Sequence, residues 1–389
     1  MIEVFLPILF GIFFGFLTGL LPGMNVNNLL PLILTFTFLS PKSLTIFIVS
    51  FSISQLLTQF FPSIFLGAPN ENTAISVLPG HRLLLEGRGY EALKICLISA
   101  LISSIFSILI VFSLQNFFKT FYYSVRQYIL YPILFILIFM ILSEEELKKI
   151  LFSIFIFLLS GLLGLITLNS NITNQNIMFP LLSGFFGLST LIISLKEKSF
   201  LPKQKIDEKL KIKSFDFMKS ILLGTIFGLI VGFLPAVGVS QAAVLAQSIA
   251  NLGDARNFLA TISSINVANE IFSLNSLYLV NNPRSGSSVA IQRVLGELNF
   301  ETFLLLIFSI VASIGISTPL ILFSAKNFYK LISKINYTLL NISIIILLSS
   351  LVIIFSGLTG ILIFITSASI GILCVELKVK RTHCMGCLL

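Results

Sequence analysis

Apolar segments of membrane-spanning length succeed one another along the whole chain, giving about a dozen crossings if every interrupted piece crosses fully. The N-terminal MIEVFLPILF has neither a basic leading region nor a small-residue cleavage site, so it reads as a span rather than a removable signal. That first span is interrupted. In GFLTGLLPGMNVNNLLP (15–31) a helical pattern breaks at Pro22-Gly23, Asn25, Asn27 and Asn28 follow, and the chain turns apolar again. At membrane depth a backbone can leave the helix only where protein or a watery cavity satisfies its freed amides and carbonyls.

The break recurs. ILFGIFFGFLTGLLPGMNV (8–26) aligns without a gap on ILLGTIFGLIVGFLPAVGV (221–239), so that Gly11, Gly15, Gly19 and Pro22 meet Gly224, Gly228, Gly232 and Pro235. Further on, LGAPNENT (66–73) meets VNNPRSGS (280–287), pairing Pro69 with Pro283, and GYEALKICLIS (89–99) meets NFETFLLLIFS (299–309). Chance apolar matching does not bring three glycines and a proline into register, so the chain reads as an internal duplication. Three units are expected: a first transmembrane repeat at 1–195, a basic linker at 196–214, and a second repeat at 215–389 that lacks a counterpart of the span 178–195.

Composition then settles the solvent. With 56% hydrophobic and 11% charged residues over 389 positions, the chain is too apolar for a soluble domain and belongs in a lipid bilayer. The net charge of +9 does not point to nucleic acid, because the lysines lie in short loops, where they act as topology signals. The segment 196–213 holds seven lysines against three acids and is expected to be cytoplasmic. Lys326, Lys330 and Lys334, the tail residues Lys378, Lys380 and Arg381, and His81, Arg82 and Arg88 mark further cytoplasmic segments. The uncharged NSNITNQN (169–176) reads as external, and so does the loop near Lys119 and Arg126. Loops that the alignment pairs thus fall on opposite sides. The expected fold class is an all-α polytopic membrane protein of two inverted-topology repeats with broken helices and helical hairpins.

Matched interruptions in inverted repeats suggest a secondary transporter whose site lies at the repeat interface near the midplane. Two histidines, no phosphate loop and no nucleophile constellation argue against an enzyme. An ion channel needs a continuous pore, which central breaks suit less well. The main rival reading is a membrane scaffold or lipid-handling protein without solute transport. On the transporter reading, Asn25, Asn27 and Asn28 and their counterparts Gly238, Ser240 and Gln241 present polar groups to a solute just after each break.

GLLPGMNVNNLLPL, FLGAPNENTAISVLPGHRLLLEGRGYEALK and GFLPAVGVSQAAVLA…INVANEIFSLNSLYLVNNPRSGSSVA resemble the large membrane subunit of the tripartite tricarboxylate transporters, and more narrowly its archaeal branch. The resemblance runs from about Gly11 to the tail, where VKRTHCMG is similar to a basic Arg-Thr-His stretch of that family. It implies carboxylate transport across the cell membrane, with a small membrane subunit and an extracytoplasmic binding protein as partners. Several family positions differ. The Pro-Gly-x-Gly of the breaks is PGMN and PAVG here, the hairpin tips are Pro69-Asn70 and Pro283-Arg284 in place of Pro-Gly, and Ala268-Asn269-Glu270 replaces Ala-Asn-Asn. SQLLTQFFPS stands where a Gly-Gly-Ser run is expected.

Arg284 sits at the second tip, beside Asn281 and Asn282 and before Ser285-Gly286-Ser287-Ser288. An arginine fork with adjacent hydroxyls suits a carboxylate, and a helix opening at the serines would add partial positive charge. Asn70, Glu71 and Asn72 form the matching tip, where Glu71 could balance a cation or pair with Arg284. Glu270 is the sharpest candidate. It is the only charged residue within ATISSINVANEIFSLNSLYLV, alongside Asn266 and Asn269, and an intramembrane acid is a functional hypothesis by default. With the amide oxygens it could bind a coupling Na⁺, or it could carry a proton, since burial favours the neutral acid. No other cofactor is expected, and HCMGC (383–387) holds too few ligands for a structural metal site, so no metal site is assigned. EEELKK (144–149) reads as a solvated helix start.

Overall fold

The computed structural model describes residues 2–21, 39–67, 73, 76–125, 128, 131, 138, 141–142, 144, 146–169, 174–196, 205–206, 210–233, 238–250, 254–332 and 337–388. No strand occurs among them; the chain is an all-α polytopic membrane protein. The helices of the first half are α1 (Ile2–Gly19), α2 (Pro41–Thr58), α3 (Phe60–Phe65), α4 (Val77–Leu85), α5 (Gly89–Ser113), α6 (Gln115–Val125), α7 (Leu147–Leu168), α8 (Asn174–Leu182) and α9 (Ser189–Lys196). A π-helical segment, Ser183–Leu188, joins α8 to α9. After the linker come α10 (Ser214–Phe233), α11 (Val239–Ala250), α12 (Ala255–Val280), α13 (Gly286–Leu295), α14 (Phe300–Ile332) and α15 (Tyr337–Glu376), then a 3₁₀ tail, Arg381–Leu388. Among the described residues, six helical stretches are long and apolar enough to cross a membrane. The dozen crossings counted from the sequence include shorter pieces, such as the apolar 3–19 and 177–193. The helix expected to break at Pro235 stops at Phe233 and resumes at Val239, where the Gly238 carbonyl accepts the first bond of α11. Pro22, Gly23, Pro69 and Pro235 themselves lie outside the described residues.

The aligned glycines have a common task. A methyl group at Gly11, Gly15 or Gly19 of α1 would come within 3.0 Å of α2, against Phe47, Ser50, Phe51, Ser54, Gln55 and Thr58. A methyl at Gly224, Gly228 or Gly232 of α10 would meet α12 in the same way, against Thr261, Ser264, Ile265, Ala268, Asn269 and Phe272. Each α10 glycine lies 213 positions after its α1 counterpart, and each contacted α12 residue lies 214 positions after its α2 counterpart. Small residues let membrane helices approach closely, and both pairs use them at the same register. The approach lets hydroxyls find carbonyls on a neighbouring helix: Ser54 Oγ donates to Ile12 O at 2.9 Å, and Ser103 Oγ of α5 donates to Ser264 O of α12 at 3.0 Å.

The halves exchange helices. First-half α5 packs on α12, and its counterpart α14 packs on α2; α4 also touches α12 while α13 lies on α2. At one end of this junction Glu91 of α5 takes the Arg256 Nε of α12 at 3.1 Å and the linker amide of Lys211 at 2.7 Å. The tail is not a free end. It packs into α7, with Ser160 Oγ donating to His383 O at 3.2 Å and Gly164 facing Cys387. Glu144 is therefore not solvated as the sequence suggested: its Oε1 lies 2.8 Å from His383 Nε2 and accepts from Lys380 N. Cys384 and Cys387 are buried free thiols, and no group of three or more metal-type ligands exists among the described residues.

Two outcomes follow from this packing. Gly228→Ala should lower stability by about 1–3 kcal/mol through overpacking, while Gly315→Ala in α14, where a methyl meets nothing within 4 Å, should leave it unchanged or raise it by up to about 1 kcal/mol through helix propensity. Equal melting temperatures for the two variants would show that the close approach is not required. His81 of α4 is buried, which pushes its imidazole down to about 4 against the opposing pull of a bond to the Ile64 backbone. The unfolded chain takes up this proton below about pH 6.5, so stability is full above that pH and falls as pH drops toward 4, by roughly 3 kcal/mol. His81→Gln should flatten part of the melting-temperature decline between pH 6.5 and 4; an unchanged slope would count against the burial effect.

Candidate functional site

α12 carries a polar stripe at helical spacing: Asn266, the neighbours Asn269 and Glu270, Ser273 and Ser276 fall on one side of the helix. The helix ends where Asn281 adopts the left-handed conformation, at φ 51°, its amide bonding back to Leu277 O. The chain then turns through Asn282-Pro283-Arg284 and restarts at Ser285, whose hydroxyl caps α13 by accepting from Ser288 N at 3.3 Å. The stripe holds this turn in place. Ser273 Oγ accepts from the backbone amides of Arg284 at 2.9 Å and Ser285 at 2.6 Å, and Ser276 Oγ donates to Asn282 O at 2.8 Å.

Glu270 faces the opening turn of α13. Ser287 Oγ donates to Glu270 Oε2 at 2.6 Å, and Ser287 in turn shares a 2.9 Å hydroxyl contact with Ser285. No basic side chain pairs with Glu270 among the described residues. The half-buried carboxylate is thus met by hydroxyls and by the partial positive charge of a helix N-terminus. Asn266, one helical turn before Glu270, and Asn269, the residue before it, carry further amide groups on the same stretch of α12.

α13 lies against α2, which is buried along almost its whole length despite its hydroxyls and amides. Among the described residues, buried Gln59 has no hydrogen-bond partner at either amide atom, and the Gln55 amide nitrogen donates to Thr18 while its carbonyl oxygen accepts no bond. Asn275 of α12 is likewise fully buried with both amide atoms unbonded. Buried amides without protein partners are uncommon and mark places where water or a solute completes the bonding.

The family model for the tripartite tricarboxylate transporter TctA family matches residues 5–386. The chain belongs to that family. An uncharacterized protein of the archaeon Methanocaldococcus jannaschii is 31% identical over 393 residues, covering 99% of this chain and 96% of that one. No solved structure matches. The TctA-family chain is therefore a multi-pass component of a membrane transporter.

In this TctA-family protein Glu270, Asn282, Arg284, Ser285 and Ser287 lie in one hydrogen-bonded region around the α12–α13 turn, with Pro283 between them, while Asn266 and Asn269 sit earlier along α12. Gly238, Ser240 and Gln241 lie at the start of α11, with Ser240 buried, and α11 packs on α12. Asn25, Asn27, Asn28, Asn70, Glu71 and Asn72 lie outside the described residues. Sequence reasoning missed Ser273, Asn275, Gln55 and Gln59. The two glutamines stood in SQLLTQFFPS, four residues apart on one face of an apolar helix, which was signal enough.

Ser273→Ala would strand two backbone donors at the turn and should cost about 1–3 kcal/mol. The variant should melt lower and be nicked by protease within 281–285; wild-type melting together with wild-type protease resistance would refute this role.

Proposed function

We propose that this chain is the membrane permease of a tripartite system that moves a small organic anion of carboxylate type by ion-coupled alternating access. The observation that carries the reading is Glu270 held by hydroxyls at the N-terminus of α13. An internal carboxylate there occupies the donors that a substrate carboxylate would need, and two anions cannot share them without repulsion. A Na⁺ held by Glu270 and the amide oxygens of Asn266 and Asn269, or a proton on Glu270, removes the competitor. The substrate then takes the Ser285 and Ser287 hydroxyls, with Arg284 at the turn as a bidentate partner. Ion binding thereby precedes anion binding, which is the coupling.

The equivalent glycine contacts and the exchanged helices support two repeats related by a pseudo-twofold axis, at 1–195 and 215–389. Inversion of that pair across the membrane, with the linker and tail cytoplasmic, provides the two gates of alternating access. A small membrane subunit and an extracytoplasmic binding protein, as the family name implies, would complete the system.

Purified protein is to be screened for thermal stabilisation by mono-, di- and tricarboxylates, and the hits followed as radiolabelled solutes in proteoliposomes carrying Na⁺ or pH gradients. Glu270→Gln should lose gradient-driven accumulation by roughly tenfold or more. With proton coupling, it should retain exchange across equal gradients. Wild-type accumulation by Glu270→Gln would remove this residue from the mechanism. Failure of every carboxylate to bind or move, with the partner subunits present, would sink the reading.

A further inference from the structure

A concavity with a charged rim and apolar walls that include Leu85, Ile193 and Val375 lies away from the α12–α13 turn. It has a volume of about 640 Å³ and is bordered by α4, α9, the end of α15 and the tail. Its charged lining is Arg82, Lys378, Lys380 and Arg381 against the single carboxylate Glu86, which Arg82 already engages at 3.4 Å. His81, also in the lining, is neutral at physiological pH.

Arg381 is the centre of the argument. Only 6% of it is exposed, yet no carboxylate lies within ion-pair distance among the described residues. One guanidinium nitrogen donates to Ser189 Oγ at 3.0 Å and Thr190 Oγ1 at 2.7 Å, and Nε has no acceptor among the described residues. Those two hydroxyls donate to Phe185 O and Phe186 O of the π segment, so they orient the guanidinium without neutralising it. A buried charge is costly unless it is paired. A second feature points into the same cleft. Lys378 takes the left-handed position after α15, at φ 56°, where Val379 N bonds back to Cys374 O and glycine is the usual occupant. A strained lysine at such a cap brings one more ammonium to the rim.

We infer that this cleft is a binding site for a multivalent oxyanion, phosphate- or polycarboxylate-like, that supplies the counter-charge of Arg381. The planar guanidinium offers the fork and the Lys378, Lys380 and Arg82 side chains the surrounding charge. The anion is either a free solute or the headgroup of an anionic phospholipid. None of these residues belongs to the proposed transport site, so the two assignments stand or fall separately.

The test uses the full chain in phosphatidylcholine nanodiscs at low salt, titrated calorimetrically with citrate and with inorganic phosphate. It is repeated as a melting comparison in discs containing phosphatidylglycerol. Arg82→Gln combined with Lys378→Gln alters the open rim and leaves the buried packing intact; Arg381→Gln is the second variant. Binding of citrate or phosphate that weakens roughly tenfold or more in the rim variant, and further in Arg381→Gln, supports a free anion. Stabilisation by phosphatidylglycerol that the rim variant loses, without binding of either free anion, supports the same site filled by a headgroup. If citrate, phosphate and phosphatidylglycerol all act equally on wild type and rim variant, the inference is overturned.

Discussion

Two helices in this protein are too polar to face lipid, and the rest of the structure is arranged so that they do not. α2 and α12 carry hydroxyls and amides along most of their length, and both are buried on nearly every side. In hydrocarbon such groups are tolerated only when other parts of the protein enclose them. The enclosing helices α1 and α10 each present bare backbone at three points of the contact, because their glycines remove the side chains that would hold the axes apart there. The site exists inside this shield. Glu270 can rest on serine hydroxyls, and Gln59 and Asn275 can keep unbonded amides, because lipid is kept away from all of them.

The shield is shared between the halves rather than built twice. α5 covers α12, α14 covers α2, and Glu91 binds both Arg256 and the linker amide of Lys211 at the joint. A motion that changes access to the α12–α13 turn must therefore carry helices of both halves. One carboxylate oxygen of Glu91 accepts both bonds, so the linker at Lys211 and the second-half helix α12 are tied to α5 through the same atom.

What was legible in the sequence was periodic or locally odd. Three glycines at four-residue intervals, matched 213 positions later, marked the duplication that the paired helix contacts now share, and Glu270 stood out as a lone charge in an apolar run. What was not legible depends on segments far apart in the chain. Ser273 is an ordinary helical serine until the turn folds back onto it, eleven and twelve positions later. Arg381 reads as one more basic tail residue until Ser189 and Thr190, nearly two hundred positions earlier, are found against it. The same holds for Glu144, which local charge pattern assigned to water and which His383 takes instead.

The exchange of helices bears on how the protein is made. During synthesis α2 and α5 leave the ribosome long before α12, α13 and α14 exist. Until then the hydroxyl-bearing faces that α12 and α14 will cover have no protein partner. The nascent first half must either wait beside the translocon, shielded by the insertion machinery, or sit in lipid with its polar seam open. Completion of the membrane-embedded core is thus a late, post-insertion event, and a chain truncated at the linker would be a substrate for membrane quality control rather than half a transporter.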